Sequence, residues 1–265
     1  MTAGRPTGRT GDPQGWVRTS RDGAVLTVTL DRADQLNAQT PATWAALRNV
    51  GDSLDAGVRV VVVTGAGRSF SAGLDRSLFS SDPAVGGGLG ELGSMPPELV
   101  DHRIRGYQAG FRWLRSPGIV SIAAVQGHAI GAGAQLALAC DLRVLTEDAQ
   151  LRLPEATLGL VPDLTGTSTL VELVGYSRAV EICLTGRAVG AAEAVATGLA
   201  NVAVPADRLG TTVRSLTEAL LAVDAGAAAE TLELLRSAVR NDPDSQDAAE
   251  RAAQARRLRV LAATR

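Results

Sequence analysis

The chain has 265 residues, 45% of them hydrophobic and 20% charged, with a formal net charge of -2. All 26 basic residues are arginine, because the sequence contains no lysine. This excludes a Schiff-base lysine, a pyridoxal-phosphate anchor and the lysine of a phosphate-binding P-loop. Only two histidines (His102, His128) and two cysteines (Cys140, Cys183) are present, and neither pair has the spacing of a metal site or a disulfide framework. Base chemistry, if the chain performs any, must therefore rest mostly on carboxylates.

The near-neutral charge balance argues against a nucleic acid or an anionic membrane as the main partner, although a local arginine cluster can still meet a phosphorylated ligand. No stretch approaches the roughly 18 apolar residues of a membrane span. Residues 1–15 mix Gly, Pro, Thr and Arg without an apolar run and read as a flexible tail, neither signal peptide nor helix. Two cysteines in apolar contexts fit a reducing cytoplasm.

In chain order, segment 24–30 (AVLTVTL) alternates and predicts a strand. Thr40 is a good N-cap and Pro41 suits a first helical position; Trp44, Leu47, Val50 and Leu54 then recur at helical spacing until Gly57. Segment 58–64 (VRVVVVT) is too uniformly apolar for a one-sided sheet and predicts a strand covered on both faces. After a Gly-rich loop over 80–97 come a helix over 98–114, a strand over 119–125, a helix over 132–139 and a strand over 141–146. Helices over 167–174 and 177–183 and a strand over 199–204 follow. From Pro205 onward the pattern is helical only, near 207–223, 226–240 and 245–262. The domain reading is a tail over 1–15, an α/β core over 16–205 and a helical region over 206–265.

Four segments invite a chemical reading. Residues 88–93 (GLGELG) match the dinucleotide fingerprint by letters, but they follow Asp82-Pro83 and run into Pro96-Pro97, so a bland flexible loop is the expectation. Residues 64–76 (TGAGRSFSAGLDR) follow a strand, with glycines that permit sharp turns and close approach to a ligand. In 125–141 (VQGHAIGAGAQLALACD) a strand enters a Gly/Ala turn that opens an apolar helix. The free N–H groups and positive dipole end of such a helix, at Gly131, Ala132 and Gly133, suit a developing oxyanion as well as they suit tight packing. His128 reads as a packed or hydrogen-bonded histidine rather than a base, and Cys140 as a small core residue. Residues 151–166 (LRLPEATLGLVPDLTG) set Glu155 and Asp163 among apolar neighbours, which tends to raise a carboxyl pKa toward the range of a general acid or base.

Together these segments resemble the crotonase superfamily, the enoyl-CoA hydratase/isomerase family. The likeness lies in an ordered set of motifs: LDRADQLNAQT, VVVVTGAGRSFSAGLD, IAAVQGHAIGAGAQLALACDLRV, LPEATLGLVPD and LTGRAVGAAEAVATGLANVAVP. The resemblance implies an α/β fold with a crotonase-like ββα spiral core and a C-terminal helical region that builds homotrimers or hexamers. It implies an acyl-CoA thioester substrate, with coenzyme A part of the substrate and no separate cofactor. By position, the backbone N–H groups of Leu74 and Ala132 form the oxyanion hole. Ala72, Gly73, Asp75, Arg76, Gly131 and Gly133 contact the substrate, Ala72 beside the adenine. Of the two glutamates that hydratases use, only the second is kept, as Glu155; the first is replaced by Gln135, which cannot exchange a proton at neutral pH. This favours an allylic double-bond shift with Glu155 as the base, Asp163 being a candidate second acid. A weak hydratase and a catalytically silent acyl-CoA binder are the alternatives. Relatives use lysine near the CoA phosphates, so Arg76 and the cluster Arg251, Arg256, Arg257 and Arg259 are candidates for that contact, against a plain solvated face for the cluster.

Overall fold

The computed structural model describes residues 15–263, so the tail expected over 1–15 lies, but for Gly15, outside the described residues. The strands are β1 (Val17–Asp22), β2 (Val25–Leu30), β3 (Val60–Gly65), β4 (Val120–Val125), β5 (His128–Ile130), β6 (Leu142–Thr146), β7 (Gln150–Arg152), β8 (Ala188–Gly190) and β9 (Val202–Val204). The helices are α1 (Pro41–Asp52), α2 (Leu89–Ser94), α3 (Pro97–Arg112), α4 (Ala132–Ala139), α5 (Gly166–Val174), α6 (Tyr176–Thr185), α7 (Ala191–Ala196), α8 (Leu209–Ala222), α9 (Ala225–Ala238) and α10 (Pro243–Ala263). Among the described residues the larger sheet has the order β1-β2-β3-β4-β6-β9, antiparallel at β1/β2 and parallel elsewhere.

The β-branched run of β3 lies at its centre and is buried on both faces, as its uniform apolarity requires. Val61 and Val63 enter the main core with Leu30, Ala123 and the α4 residues, while Val60 and Val62 pack with Ile122, Val144 and Val213 of α8 on the other face. Thr40 caps α1 and Pro41 opens it, with Trp44, Leu47 and Val50 buried. Ser53 ends the helix early by donating its hydroxyl to Asn49 O at 2.7 Å. Helix α3 crosses α1 closely enough that a Cβ on Gly110 would lie 2.5 Å from Trp44 O, and Tyr107 sets its ring 4.7 Å from that of Trp44.

A second, smaller sheet of order β5-β7-β8 was not legible in the sequence, because three-residue strands show no measurable alternation. It carries the logic of the spiral. Strand β4 is followed by β5 and then α4; β6 is followed by β7 and then, after a 3-10 turn at Glu155–Leu158, by α5. Strand β3 is followed by Ser71, which makes a parallel bridge to Ala129 of β5. Each turn of the ββα spiral thus gives one strand to the large sheet and one short pairing to the small sheet.

Three local expectations change. The polar strand β1 pairs along β2 through Gly23, which has φ +54°. Residues 89–94, expected as loop, form α2, with the Glu91 carboxylate accepting from Gly87 N–H. His128, expected to be packed or hydrogen-bonded, is exposed: along β5 it points to the face opposite that of the buried Ala129.

After β9 only helices follow. Arg236 of α9 fastens them to the core, donating to Ser116 O at 3.0 Å, to Ile119 O at 3.2 Å and to Asp141, which also accepts from Ser121. Both members of the Arg236–Asp141 pair are mostly buried. Truncating one partner leaves the other charge uncompensated, so Arg236→Met is expected to lower stability by about 2 to 3 kcal/mol. A urea midpoint unchanged from the native protein would show that this anchor carries no weight.

Candidate active site

Three chain segments reach the site from the small sheet, and their register decides what meets there. Ser71, Ala129 and Leu151 form one paired row, all running in the same direction. Leu74 and Ala132 each lie three residues beyond that row and Glu155 lies four beyond it. The end of the small sheet therefore delivers two backbone amides and one carboxyl to the same place.

The segment 71–75 is held on both sides. Toward α1, Gln39 N–H donates to Gly73 O at 2.7 Å and Asp75 N–H donates to Gln39 O at 2.8 Å. In such a parallel bridge Leu74, the residue between the two bonds, turns its own N–H to the opposite side. Toward β5, Ser71 N–H donates to His128 O at 2.9 Å and Ile130 N–H to Ser71 O at 3.0 Å. A buried side-chain network reinforces the loop: Ser71 Oγ donates to Asn37 O and accepts from Gln39 Nε2, whose amide oxygen accepts from Trp44 Nε1. Gly73 has φ +85°, and a Cβ on it would stand 2.4 Å from Ile130 O and 3.5 Å from Ala132 N. That close approach requires glycine.

Ala132 is the first residue of α4, where an N–H has no intrahelical acceptor and the helix dipole is positive. Gly131, at φ +51°, turns the chain into the helix. Among the described residues neither Leu74 N–H nor Ala132 N–H finds an acceptor. Gly133, expected to contact substrate, faces elsewhere: a Cβ on it would lie 2.6 Å from Ser71 O, so it serves close packing of α4 on the 71 segment.

Glu155 begins the 3-10 turn after Pro154 and is 8% exposed. Its Oε1 accepts from Gln135 Nε2 at 2.8 Å, whereas its Oε2 is buried without a partner among the described residues. Gln135 Oε1 accepts from Leu164 N–H at 2.8 Å and Gly166 N–H at 3.4 Å. Burial pushes the Glu155 carboxyl above its ordinary value, its own backbone N–H and then the Gln135 amide oppose this, and nearby Asp163 adds to it. Burial also raises Asp163.

These groups line one cleft of about 810 Å3, together with Ala72, Gly73, Asp75, Arg76, Gly131 and Asp163. Asp75 turns its carboxylate away to Arg32 and to the Ser77 N–H and hydroxyl; burial pushes it up, and these partners hold it below its usual value. It braces the wall. Sequence reasoning missed the apolar lining residues Trp44, Phe79, Leu158 and Val161, and also Arg68 and Arg152; only their convergence in space marks them. Of the C-terminal arginines, Arg256 pairs with Glu230 and Arg257 with Asp224, and none of the four lines the cleft. Among the described residues no group of three or more His, Cys, Asp or Glu is arranged to hold a metal ion.

Two backbone amides without an acceptor among the described residues, set beside a buried carboxyl, are an arrangement that can hold an enolate next to a base. The chain belongs to the enoyl-CoA hydratase/isomerase family, whose model matches residues 20–264. It is similar to the structure of an enoyl-CoA hydratase-type protein from Thermobifida fusca YX in complex with acetoacetyl-CoA, at TM-score 0.87 and 47% identity, covering 92% of this chain and 95% of that one. The same Thermobifida protein in complex with CoA gives TM-score 0.88 at 48% identity, over 94% of this chain and 95% of that one. The 2,3-dehydroadipyl-CoA hydratase of Escherichia coli K12 is 35% identical over 71% of this chain and 69% of its own length. A mitochondrial enoyl-CoA hydratase-type protein of Arabidopsis thaliana is 34% identical over 73% of this chain; the match spans 62% of that protein's length.

The raised carboxyl has a consequence for stability. A group whose pKa is higher folded than unfolded binds its proton more tightly in the native state, so stability is lost as pH rises from the unfolded value through the folded one. Glu155→Gln removes this loss. The variant is expected to melt above the native protein at pH 8 and to lose that advantage in acid, below the ordinary carboxylate range. Parallel curves of Tm against pH for the two proteins would contradict the buried-carboxyl account.

Proposed function

We propose that this member of the family isomerises the double bond of an enoyl-CoA thioester, with Glu155 as the acid/base and the Leu74 and Ala132 amides as the oxyanion hole. The observation that carries the reading is the single carboxyl with a partnerless Oε2 beside Gln135, where a two-acid hydratase needs a second carboxylate. In the proposed reaction the thioester oxygen of a 3-enoyl-CoA accepts from both amides. Glu155 Oε2 takes a proton from the carbon next to the carbonyl, and the electron pair left behind enters the π system as a dienolate. Its charge rests on the thioester oxygen between the amides and at the positive end of α4. The same carboxyl returns the proton to the γ carbon, the double bond moves into conjugation and the enzyme regains its starting state.

Asp163 is proposed as a second acid. Its place in the cleft wall and the upward push of burial on its carboxyl support that role. The acetoacetyl-CoA and CoA complexes of the Thermobifida protein support an acyl-CoA ligand for this chain. Arg68 and Arg76, both exposed and lining the cleft, are proposed to meet the CoA phosphates. Assembly as a homotrimer or hexamer is proposed through the C-terminal helices, which expose Leu235, Val239, Leu258 and Leu261.

Incubation with 3-enoyl-CoA and with 2-enoyl-CoA separates the alternatives: strong hydration without isomerisation would make the protein a hydratase, and calorimetric binding without turnover would make it a silent binder. Glu155→Gln is expected to lower isomerisation by about 10²- to 10⁴-fold with acyl-CoA affinity retained. Full activity in that variant would sink the mechanism. Gln135→Glu is expected to gain hydration of 2-enoyl-CoA, because it restores the second carboxyl that can hold and activate a water.

A further inference from the structure

We infer that Gln135 is a positioning residue whose locked amide holds Glu155 Oε1 as an acceptor and leaves Oε2 as the one oxygen through which the proton enters and leaves. A carboxamide has one accepting end and one donating end. The accepting end of Gln135 meets two backbone donors, Leu164 N–H at 2.8 Å and Gly166 N–H at 3.4 Å. Turning the amide over would set its NH2 against those two N–H groups, so the donating end is forced onto Glu155 Oε1, 2.8 Å away. The side chain is 1% exposed, which leaves no solvent to offer another arrangement.

The consequence falls on Glu155. The carbonyl oxygen of a carboxylic acid is its better acceptor, so holding Oε1 as the acceptor of the Gln135 N–H favours the proton of a protonated Glu155 on Oε2. That atom is buried without a partner among the described residues, although Glu155 lines the cleft. A buried polar atom left unpaired is costly and is kept where a ligand completes it. Position 135 thereby sets an amide in place of a carboxyl beside Glu155 and gives Glu155 a designated atom.

The other charged groups around Glu155 do not duplicate this role. Asp163 shares the cleft and opposes ionisation of Glu155. Cys183 of α6 feels the Glu155 charge and is half-buried. Arg152 directs its guanidinium to Gly186 O, and Glu172 of α5 lies toward Arg115. Helix α4 carries no ionisable side chain. Besides Glu155's own backbone N–H, Gln135 is thus the side chain that donates to the carboxyl, and its removal moves the titration upward, because a donor to the charged form favours that form.

The atom assignment uses the isomerase reading for where the proton comes from and goes to, whereas the coupling of Gln135 to Glu155 stands apart from it. The test compares native full-length protein with Gln135→Leu and Gln135→Glu by two readouts. One is an infrared titration of the Glu155 carboxyl, assigned by its loss in Glu155→Gln; the other is the pH dependence of kcat and kcat/KM with a 3-enoyl-CoA. In Gln135→Leu the carboxyl is expected to titrate at higher pH, with the acid limb of kcat/KM following it, kcat falling roughly tenfold and KM changing little. Gln135→Glu keeps an acceptor for Leu164 and Gly166 but faces Glu155 Oε1 with a second carboxyl; the two must share a proton and titrate in two coupled steps. If Gln135→Leu does not fold, this second variant decides. A Glu155 titration unmoved in the variants that fold overturns the positioning role. Absence of isomerisation by the native protein with a titration that still moves overturns the isomerase reading and supports the coupling; isomerisation with an unmoved titration does the reverse.

Discussion

The paired row of Ser71, Ala129 and Leu151 is the constraint on which the rest of this molecule depends. Backbone amides have no side chain to aim them, so two of them can converge on one atom only if the strands that carry them are held in register. Here three parallel segments end together, and sequence offsets of three, three and four residues bring Leu74, Ala132 and Glu155 to a common point. A shift of one residue in any pairing would turn an amide or the carboxyl to the opposite face. The Ser71 hydroxyl, the Gln39 amide and the Trp44 indole form a buried chain of hydrogen bonds behind that register. Such networks define one arrangement when every member is satisfied.

Helix α4 supplies the second part of the electrostatics. Its first N–H faces the cleft, and its far end is complemented by Arg143, which is fully buried and donates to Ala137 O and Cys140 O. Further bonds run from the same guanidinium to Leu199 O and Asp141 O. Burial lowers Arg143 to about 10, so it stays charged near neutrality. Cys140 beside it is pushed up by burial to about 12 and remains a thiol, a packed core residue as its apolar setting implied. A cation at the C-terminal carbonyls and free N–H groups at the other end align with the helix dipole, and both favour negative charge at Ala132.

Much of this was legible in the sequence where a residue type has one physical use. Thr40 and Pro41 mark a helix start because few residues cap and open a helix so well; the run at 60–63 marks a buried central strand because nothing polar interrupts it. The ordered glycine motifs led to the family, Glu155 stood out as a carboxyl in apolar surroundings, and Gln135 was marked only through the resemblance, at the place of the family's first glutamate. Other parts had no local signal. Strands of three residues such as β5 and β7 are set by their neighbours, and VRTSRD of β1 is polar because it lies at an edge. Gly133 and Asp75 fell within motifs that reach the cleft, but one packs on Ser71 and the other braces Arg32; letters along a motif do not say which way each residue turns.

The lysine-free composition acquires a structural meaning from where the arginines stand. Arg32, Arg187, Arg236, Arg256 and Arg257 are engaged with carboxylates, and Arg143 is committed to backbone carbonyls inside the core. Arg68 and Arg76 differ: both are exposed, both line the cleft, and neither has a carboxylate partner among the described residues. A planar guanidinium recognises phosphate with two parallel donors, which a lysine ammonium cannot do. Some arginines thus brace the fold, while Arg68 and Arg76 stand in the wall of the cleft. The cleft thus carries the exposed arginines together with the buried carboxyl of Glu155 and the half-buried one of Asp163, the arrangement on which the proposed division between ligand holding and proton transfer rests.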